Sequence, residues 1–350
     1  MLRLMLRSSS VLLALIAALQ GPPAFANDTI HVGEGPFISG GPYFIARDKG
    51  YFAKLGLDVD TRIFMDGALA VPAIVSGELD VTLVTMSAGL FNSIAKGAPM
   101  AIFLDRGNNR TGRGGSAINV SNAMYAAGVT GPADLAKLKG KRFGITALGS
   151  INQYEAALAL QQSGLDPRTD VQWISGASQP DLVKMLGRDL VDAADLAWQF
   201  GSYAQDQKLA PLIMDAGTMD KDGQVAAYAV RKDFAAKNRD AAVRFAMAIM
   251  YAAREFNAAA GAPADHPDTV ALLAKATTQG KVDMLTSFAP HWTATSEDGL
   301  PSTDAILRMQ DYWVDYFHLA NEKLSADQLF DLSIAKEARE RLDRDHPFDH

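Results

Sequence analysis

The chain has 350 residues, a formal net charge of −7 and an apolar content of 48%. It contains no cysteine, which excludes disulfides, thiolate metal sites, a cysteine nucleophile and a lipid-modified cysteine. Its acidic balance provides no basic surface for nucleic acid, so we expect no nucleic-acid partner.

The first 26 residues have the order of a cleaved secretory signal. Arg3 and Arg7 precede an apolar run at 11–19, and residues 24–26 supply a small-x-small cleavage site. The apolar run is too short for a membrane span, which needs about 18 residues. Cleavage before Asn27 removes two arginines and leaves 324 residues with a net charge of −9. We therefore expect an exported protein, most simply in a Gram-negative periplasm.

Short apolar runs alternate with helical patterns along the rest of the chain, which predicts an α/β fold. The predicted strands are 30–32, 59–63, 81–84, 101–104, 143–145, 171–174, 191–195, 212–214 and 225–230. The predicted helices are 43–54, 68–76, 151–163, 179–186, 240–260, 305–317 and 327–332. The C-terminal third is therefore expected to be almost wholly helical.

The mature length predicts two lobes, because single hydrophobic cores usually stop growing near about 250 to 300 residues. Two loop-like stretches, 107–115 and 221–224, are the predicted crossings between them. The first lobe is then predicted to contain residues 27–120 and 224–350, and the second lobe residues 121–223.

Four motifs in this order resemble a known family. They are the stretch from Gly41-Pro-Tyr-Phe to Asp58, Ser-Gly-Glu-Leu-Asp at 76–80, the segment 134–145 that ends in Phe-Gly-Ile, and Gly-Leu-Asp-Pro at 164–167. Together they resemble the periplasmic solute-binding proteins of the taurine, alkanesulfonate and thiamine-precursor group. The resemblance covers residues 30 to about 235.

This resemblance implies a two-lobed periplasmic binding protein fold of type II-like character with a helical C-terminal region. It implies a monomer without a cofactor that closes on a small-molecule ligand and delivers it to ABC permease subunits at the inner membrane. The family's pyrimidine synthases carry a cysteine-rich motif, which this chain lacks. The chain is therefore not expected to be an enzyme.

Ligands of such folds bind at the carboxyl ends of parallel strands, where helices begin. Near the first strand end, the predicted ligand contacts are Phe37, Gly41 and Pro42, with a plain tight turn as the alternative. Asp66, after the second strand, is predicted to cap a helix rather than to bind ligand.

Three residues after the third predicted strand, Thr85, Met86 and Ser87, offer two hydroxyls and an adaptable thioether to the ligand. The same Thr-Met-Ser-Ala-Gly segment is one residue short of a serine hydrolase nucleophile elbow. An exported hydrolase that uses Ser87 is therefore an alternative. It is disfavoured because Thr85 replaces the glycine that the sharp elbow requires.

Thr146, Gly149 and Ser150 form the strongest candidate site. They connect the predicted strand 143–145 to the helix 151–163, so free N–H groups and the positive end of the helix dipole face whatever lies in front of Ser150. This geometry suits a small anion. A helix cap without a ligand is the structural alternative.

Asp195, Trp198 and Gln199 end the corresponding strand of the second lobe. Trp198 is predicted to stack on a planar or apolar ligand and Gln199 to hydrogen-bond its polar end, with core packing of Trp198 as the alternative. Asp195 would repel an anion but suits an amine or a ring N–H.

The favoured ligand is a small organic anion, either a sulfonate or an aromatic or aliphatic carboxylate. The alternative ligand is a pyrimidine-like heterocycle with Asp195 as its acceptor. Arg110 and Arg113 lie in the first predicted crossing and Arg106 directly precedes it; one of the three is a candidate partner for an anion. Solvated loop charges are the alternative for all three, and no metal site is expected.

Overall fold

The structure is a computed structural model that describes residues 27–215 and 218–348. The predicted signal at 1–26 lies outside the described residues. The ten strands of the described chain are β1 (Asp28–Glu34), β2 (Leu57–Ile63), β3 (Val81–Thr85), β4 (Met100–Asn108), β5 (Ser116–Val120), β6 (Arg142–Gly144), β7 (Gln172–Ile174), β8 (Ala193–Ala197), β9 (Leu212–Asp215) and β10 (Gln224–Arg231).

Helices connect these strands and make up most of the chain after β10. The α-helices are α1 (Gly41–Asp48), α2 (Tyr51–Lys54), α3 (Gly67–Val75), α4 (Ala88–Ala95), α5 (Asn122–Ala126), α6 (Ile151–Gln162), α7 (Gln179–Gly187), α8 (Trp198–Asp206), α9 (Lys232–Lys237), α10 (Arg239–Gly261), α11 (Pro267–Thr277), α12 (Val282–Ser287), α13 (Thr303–Asp311), α14 (Ala326–Leu329) and α15 (Ser333–Asp345). A π-helical turn, Tyr312–Tyr316, continues α13. Within the described ranges, no helix combines the length and apolar character of a membrane span.

The strands form two sheets with the same pattern. The first has the order β2-β1-β3-β10-β4 and the second the order β7-β6-β8-β5-β9. In each sheet three neighbouring strands are parallel, and the fourth strand in the order runs antiparallel to both of its neighbours. That fourth strand is the first one formed after the chain passes from the other sheet.

The chain enters the second sheet earlier than the sequence predicts. Residues 116–120, which were assigned to the first lobe, form β5 and hydrogen-bond to β8 and β9 of the second sheet. The chain therefore leaves the first sheet after Asn108 and enters the second at Ser116. β5 has no continuous apolar run that would predict a strand, because Ser116 and Asn119 interrupt the pattern although both side chains are buried.

The predicted helix 43–54 is two helices, because Gly50 adopts a left-handed conformation with φ of 76° between α1 and α2. A left-handed backbone interrupts an α-helix and is readily adopted by glycine. The predicted helix 305–317 begins as α13 and ends in the π-helical turn.

The core of the first sheet is built around α10. The ring of Phe245 stacks on Phe52 with centroids 5.2 Å apart and also contacts Tyr43, Phe103 and Tyr228. The second sheet has hydrophobic clusters of its own, which include residues of β5, β6, β8, α6 and α7. The clusters around the first sheet also include Ala117, Trp198 and Tyr154 from the second-sheet segment, so part of the contact between the two units is hydrophobic.

Candidate ligand-binding site

A partly open cavity of about 80 Å³ lies between the two sheets, which is room for several water molecules or one small solute. Its walls come from residues that follow the strands of both sheets. The side chains and backbone that line it belong to Phe37, Ile38, Ser39, Met65, Asp66, Gly67, Leu83, Thr85, Arg106, Gly115, Ser116, Thr146, Ile151, Asn152, Glu155, Gln179, Ala197, Gln199, Val225, Ala226 and Thr293.

On the first-sheet wall, Arg106 is fully engaged with a buried carboxylate. Its Nε donates to Glu34 Oε1 at 2.9 Å, a second nitrogen contacts the same oxygen, and Nη1 donates to Ser39 Oγ at 2.7 Å. The other oxygen of Glu34 accepts a hydrogen bond from Tyr228 at 2.5 Å. Both ions are almost completely buried. Glu34 therefore compensates the positive charge that Arg106 brings to the cavity.

On the second-sheet wall, two buried carboxyl groups meet at one hydroxyl. Ser116 Oγ lies 2.7 Å from Glu155 Oε2 and 2.9 Å from Asp195 Oδ2. Asn109 Nδ2 donates to the other Glu155 oxygen at 2.9 Å, and Asn152 Nδ2 donates to the other Asp195 oxygen at 2.5 Å. Glu155 lines the cavity, whereas Asp195 lies behind Ser116.

Burial changes the acidity of both groups. Loss of solvation raises the pKa of Glu155 to about 7, with the nearby Asp220 and Asp215 as smaller causes. Burial also raises the pKa of Asp195 well above its ordinary value, and the charge of Glu155 adds to this effect. Loss of solvation disfavours the ionised form of a carboxyl group, and no basic side chain is among the hydrogen-bond partners of either group.

Asp66 has two roles in the structure. Its Oδ1 accepts a hydrogen bond from the Ala68 amide at 2.8 Å, as expected for the N-cap of α3. It also lies on the cavity wall, where burial raises its pKa.

Four of the residues predicted to contact ligand lie on the cavity wall: Phe37, Thr85, Thr146 and Gln199. Gln199 also reaches across the cleft, since its Nε2 donates to the Pro36 carbonyl at 3.3 Å. Within the described residues, the other predicted contacts lie away from this wall; they are Gly41, Pro42, Met86, Ser87, Gly149, Ser150, Asp195 and Trp198.

Within the turn before α6, Gly149 and Ser150 contact protein, whereas Thr146 before them and Ile151 and Asn152 after them line the cavity. Ser150 caps the helix by accepting from the Gln153 amide at 3.3 Å, and the Gly149 carbonyl accepts from the Ala88 amide at 2.9 Å. Ser87 caps α4 in the same way, through the Leu90 amide at 3.2 Å. The N-termini of α4 and α6 therefore meet each other beside the cavity.

Trp198 packs against a ring from the C-terminal helical region. Its indole stacks on His291 with centroids 4.2 Å apart and planes inclined by 13°, and it borders a second cavity. His291 Nδ1 lies 3.2 Å from Asp215 Oδ2, and this hydrogen bond raises the pKa of the imidazole. The other predicted contacts are structural here: Pro42 begins α1, Gly41 lies close to Phe256, and Met86 is fully buried.

Sequence reasoning did not single out Glu155, Ser116, Asn152 or Gln179. A signal for Glu155 exists, because it stands in an otherwise apolar stretch of α6 with no Lys or Arg three or four residues away. No group of acidic residues and histidines in the described part of the chain is arranged to hold a metal ion.

The model of the NMT1-like family matches residues 25–274. The chain belongs to the NMT1-like family. Among curated relatives, the nitrate/nitrite binding protein NrtA of a Nostoc species is 24% identical over 235 residues, which is 62% of this chain and 51% of the relative. The other curated matches cover 60 to 62% of the relatives' own length.

Solved structures share the fold of this NMT1-like protein. The periplasmic nitrate-binding protein NrtA of Synechocystis superposes with a TM-score of 0.74 at 16% identity, over 90% of this chain and 89% of that one. The alkanesulfonate-binding protein SsuA of Xanthomonas axonopodis, bound to MOPS, gives 0.69 at 16% identity, over 88% and 99%. The desulfurization enzyme DSZB gives 0.60 at 15% identity, over 90% and 99%. The predicted α/β binding-protein fold is thereby confirmed.

Proposed function

We propose that this NMT1-like protein is the exported ligand-binding component of an ABC importer. In this proposal the two sheets belong to two lobes that close on one small solute, and the permease subunits at the inner membrane receive it. The family match, the shared fold of nitrate-binding and sulfonate-binding proteins, and a cavity between the sheets that is lined by both polar and apolar residues all support it. Binding at the edge where two such units meet is the usual arrangement in α/β proteins.

The ligand we propose is a small neutral or protonated nitrogen compound, such as a pyrimidine-like heterocycle. This choice rests on the position of Glu155. Its carboxyl group is almost completely buried on the cavity wall, and its side-chain partners are Asn109 and Ser116. A ligand N–H or ammonium group would give Glu155 a donor. Arg106 offers an anion little net charge, because Glu34 already compensates it.

Electrostatics disfavour the organic anion that the sequence favoured. A negative ligand group about 4 Å from an ionised Glu155 would be repelled by about 4 kcal/mol at an effective dielectric constant of about 20. That is roughly a thousandfold in affinity as long as Glu155 stays ionised; because its pKa is about 7, uptake of a proton at neutral pH would relieve most of this repulsion. At the predicted anion site, Ser150 lies off the cavity wall and the Gly149 carbonyl accepts from the Ala88 amide, although Ile151 and Asn152 of the first turn of α6 do line the cavity.

The remaining wall suits a small planar ring. Phe37 presents an aromatic side chain for stacking. Thr85 and Thr146 supply hydroxyl groups that both donate and accept, so they match a neutral heterocycle without added charge.

Hydrolysis at Ser87 is not part of the proposal. The Ser87 hydroxyl caps α4 through the Leu90 amide and lies off the cavity wall. A nucleophile needs an adjacent base, and the hydrogen-bond partner found here is a backbone amide.

Calorimetry with matched compounds tests the ligand class: 4-aminopyrimidine and 3-aminomethylpyridine against pyridine-3-sulfonate and pyridine-3-carboxylate. Native mass spectrometry of protein purified without refolding identifies any co-purifying solute. We expect the nitrogen donors to bind and Glu155→Gln to weaken them at least tenfold, with Glu340→Gln, at an exposed glutamate, as the control. Anions that bind the wild type, and bind Glu155→Gln more tightly, would overturn this ligand class.

A further inference from the structure

The Ser116 hydroxyl cannot satisfy both of its neighbours with its own hydrogen. It lies within hydrogen-bond distance of one oxygen of Glu155 and one oxygen of Asp195, at 2.7 and 2.9 Å. A hydroxyl donates one hydrogen and otherwise accepts. If both carboxyl groups were ionised, one of these contacts would join two acceptors with no hydrogen between them. The simplest arrangement that gives each contact its own hydrogen has a proton on one of the two carboxyl groups.

The position of that proton is restricted to the oxygens that face Ser116. The other oxygens of Glu155 and Asp195 accept from the amide groups of Asn109 and Asn152. The orientation of Asn109 is fixed, because its Oδ1 accepts from the Gly115 amide at 2.8 Å. The three side chains therefore form a short row in which one proton is shared between two acids and one hydroxyl.

The surroundings of the two acids differ. Both acids are almost completely buried, Glu155 at 2% and Asp195 at 0% exposure, but Glu155 borders the cavity, where a ligand can approach it, whereas Asp195 lies off the cavity wall. An ion is less costly where polar groups can solvate it. The charges of Asp215 and Asp220 also act on Glu155 and raise its pKa, and the opposite wall holds Arg106 with Glu34, and Asp66.

We propose that Asp195 is a protonated carboxylic acid in the folded protein, that it donates to Ser116, and that Ser116 in turn donates to an ionised Glu155. Asp195 is then a positioning residue: it holds Glu155 as an oriented acceptor toward the cavity without touching the ligand. The statement about the ligand rests on the proposed function, whereas the location of the proton does not.

Two isosteric variants test which of the two acids, Asp195 or Glu155, carries the proton. In Asp195→Asn, the amide nitrogen donates to Ser116 and the amide oxygen accepts from Asn152, as the protonated acid would. In Glu155→Gln, the amide oxygen accepts from Asn109 and the amide nitrogen donates to Ser116. Ser116 must then donate to Asp195, which forces the negative charge onto the more deeply buried acid. Each variant is the control for the other.

Thermal denaturation of ligand-free protein between pH 5 and pH 9 shows which of the two acids is protonated in the folded state. We expect Asp195→Asn to melt close to the wild type at neutral pH and Glu155→Gln to melt several degrees lower. Relative to the wild type, both should gain stability as pH rises, because neither has a shared proton to lose. The reverse order of the two variants would overturn the assignment to Asp195. Variants that keep the pH dependence of the wild type would overturn the shared proton itself.

Infrared difference spectra provide a second measurement on the folded protein. The wild type at neutral pH should show the carbonyl stretch of a protonated carboxylic acid, and the Asp195→Asn spectrum should lack it. Absence of that band from the wild type would overturn the proposal. All of these measurements use protein without ligand, so an anion found in the calorimetric panel would overturn the proposed ligand class and leave the proton assignment standing.

Discussion

The Ala88 amide donates a hydrogen bond to the Gly149 carbonyl at 2.9 Å, joining the N-terminal turns of α4 and α6 across the cleft. Gly149 has φ of 76°, and a Cβ atom added to it would lie 2.9 Å from Ala88 Cβ. The two sides of the cleft are therefore in contact at a position where one of them has no side chain.

Gly149→Ala should prevent this approach. The left-handed backbone costs an alanine about 1–2 kcal/mol, and the clash with Ala88 adds a penalty only in the closed form. We expect a larger radius of gyration by small-angle scattering and weaker ligand binding. Gly176→Ala is the matched control, since Gly176 has φ of 93° and nothing within 4 Å of its added Cβ. Equal radii and affinities for the two variants would contradict this prediction.

The buried pair of Arg106 and Glu34 should be strongly coupled. Arg106→Met leaves Glu34 buried without its cation, and breaking such a pair typically costs about 3–5 kcal/mol. We expect chemical denaturation to show a loss of that size, and the double variant with Glu34→Gln to recover part of it. The exposed pair of Arg62 and Glu78 is the control, where Arg62→Met should cost less than about 1 kcal/mol. Equal losses at the two arginines would contradict the prediction.

His291 should give a pH-dependent contribution to stability. Its hydrogen bond to Asp215 raises its pKa above the ordinary value, so the folded protein binds the proton more tightly than the unfolded chain. The contribution is fully present below about pH 6.5 and is lost as pH rises through the folded pKa. The side chain is 39% exposed, so we expect less than about 1 kcal/mol.

His291→Phe keeps a ring against Trp198 and removes the titration. The melting temperature of the wild type minus that of the variant should therefore be larger at pH 5.5 than at pH 8.5. A constant difference across that range would show that the imidazolium adds nothing to the stacked contact.

Substitutions at Trp198 and at Phe37 should have different effects, the first mainly on folding stability and the second mainly on ligand affinity. Trp198 is 5% exposed and stacked on His291, so Trp198→Ala should cost about 3 kcal/mol of folding stability, in the range for buried aromatic residues. Because Trp198 lies off the cavity wall, ligand affinity should change little. Phe37→Ala should do the reverse, with affinity about tenfold weaker and a smaller change in melting temperature. A larger affinity loss at Trp198 would place the ligand in the second cavity.

The fold could be predicted because local patterns decide it. Apolar runs located nine strands, and the glycine and acidic joints of the family motifs identified the binding-protein fold. β5 escaped because Ser116 and Asn119 are polar yet buried, and their partners lie far along the chain: Ser116 faces Glu155, and Asn119 donates to the Gly201 and Ala210 carbonyls. Such partners depend on tertiary packing, which periodicity does not report.

Part of the site could be predicted from the rule that ligands bind at the carboxyl ends of parallel strands. That rule placed Phe37, Thr85, Thr146 and Gln199 where the cavity wall runs. It did not find Glu155, which lies in the second turn of α6 and reaches the cavity only because that helix packs beside the Asn109 segment. For Ser150, the local cap is as expected, but what stands in front of it depends on how the two sheets are set against each other.

The sheet order has a consequence for folding during export. All strands of the second sheet come from one continuous segment, 116–215, whereas the first sheet needs β10 between β3 and β4. If the chain crosses a membrane with its N-terminus first, the second sheet can be completed once Asp215 has emerged. The first sheet stays split, with unpaired edges on β3 and β4, until residues 224–231 arrive. The N-terminal segment that forms β1 to β4 is therefore synthesised first, but its sheet is completed last, when β10 pairs with β3 and β4.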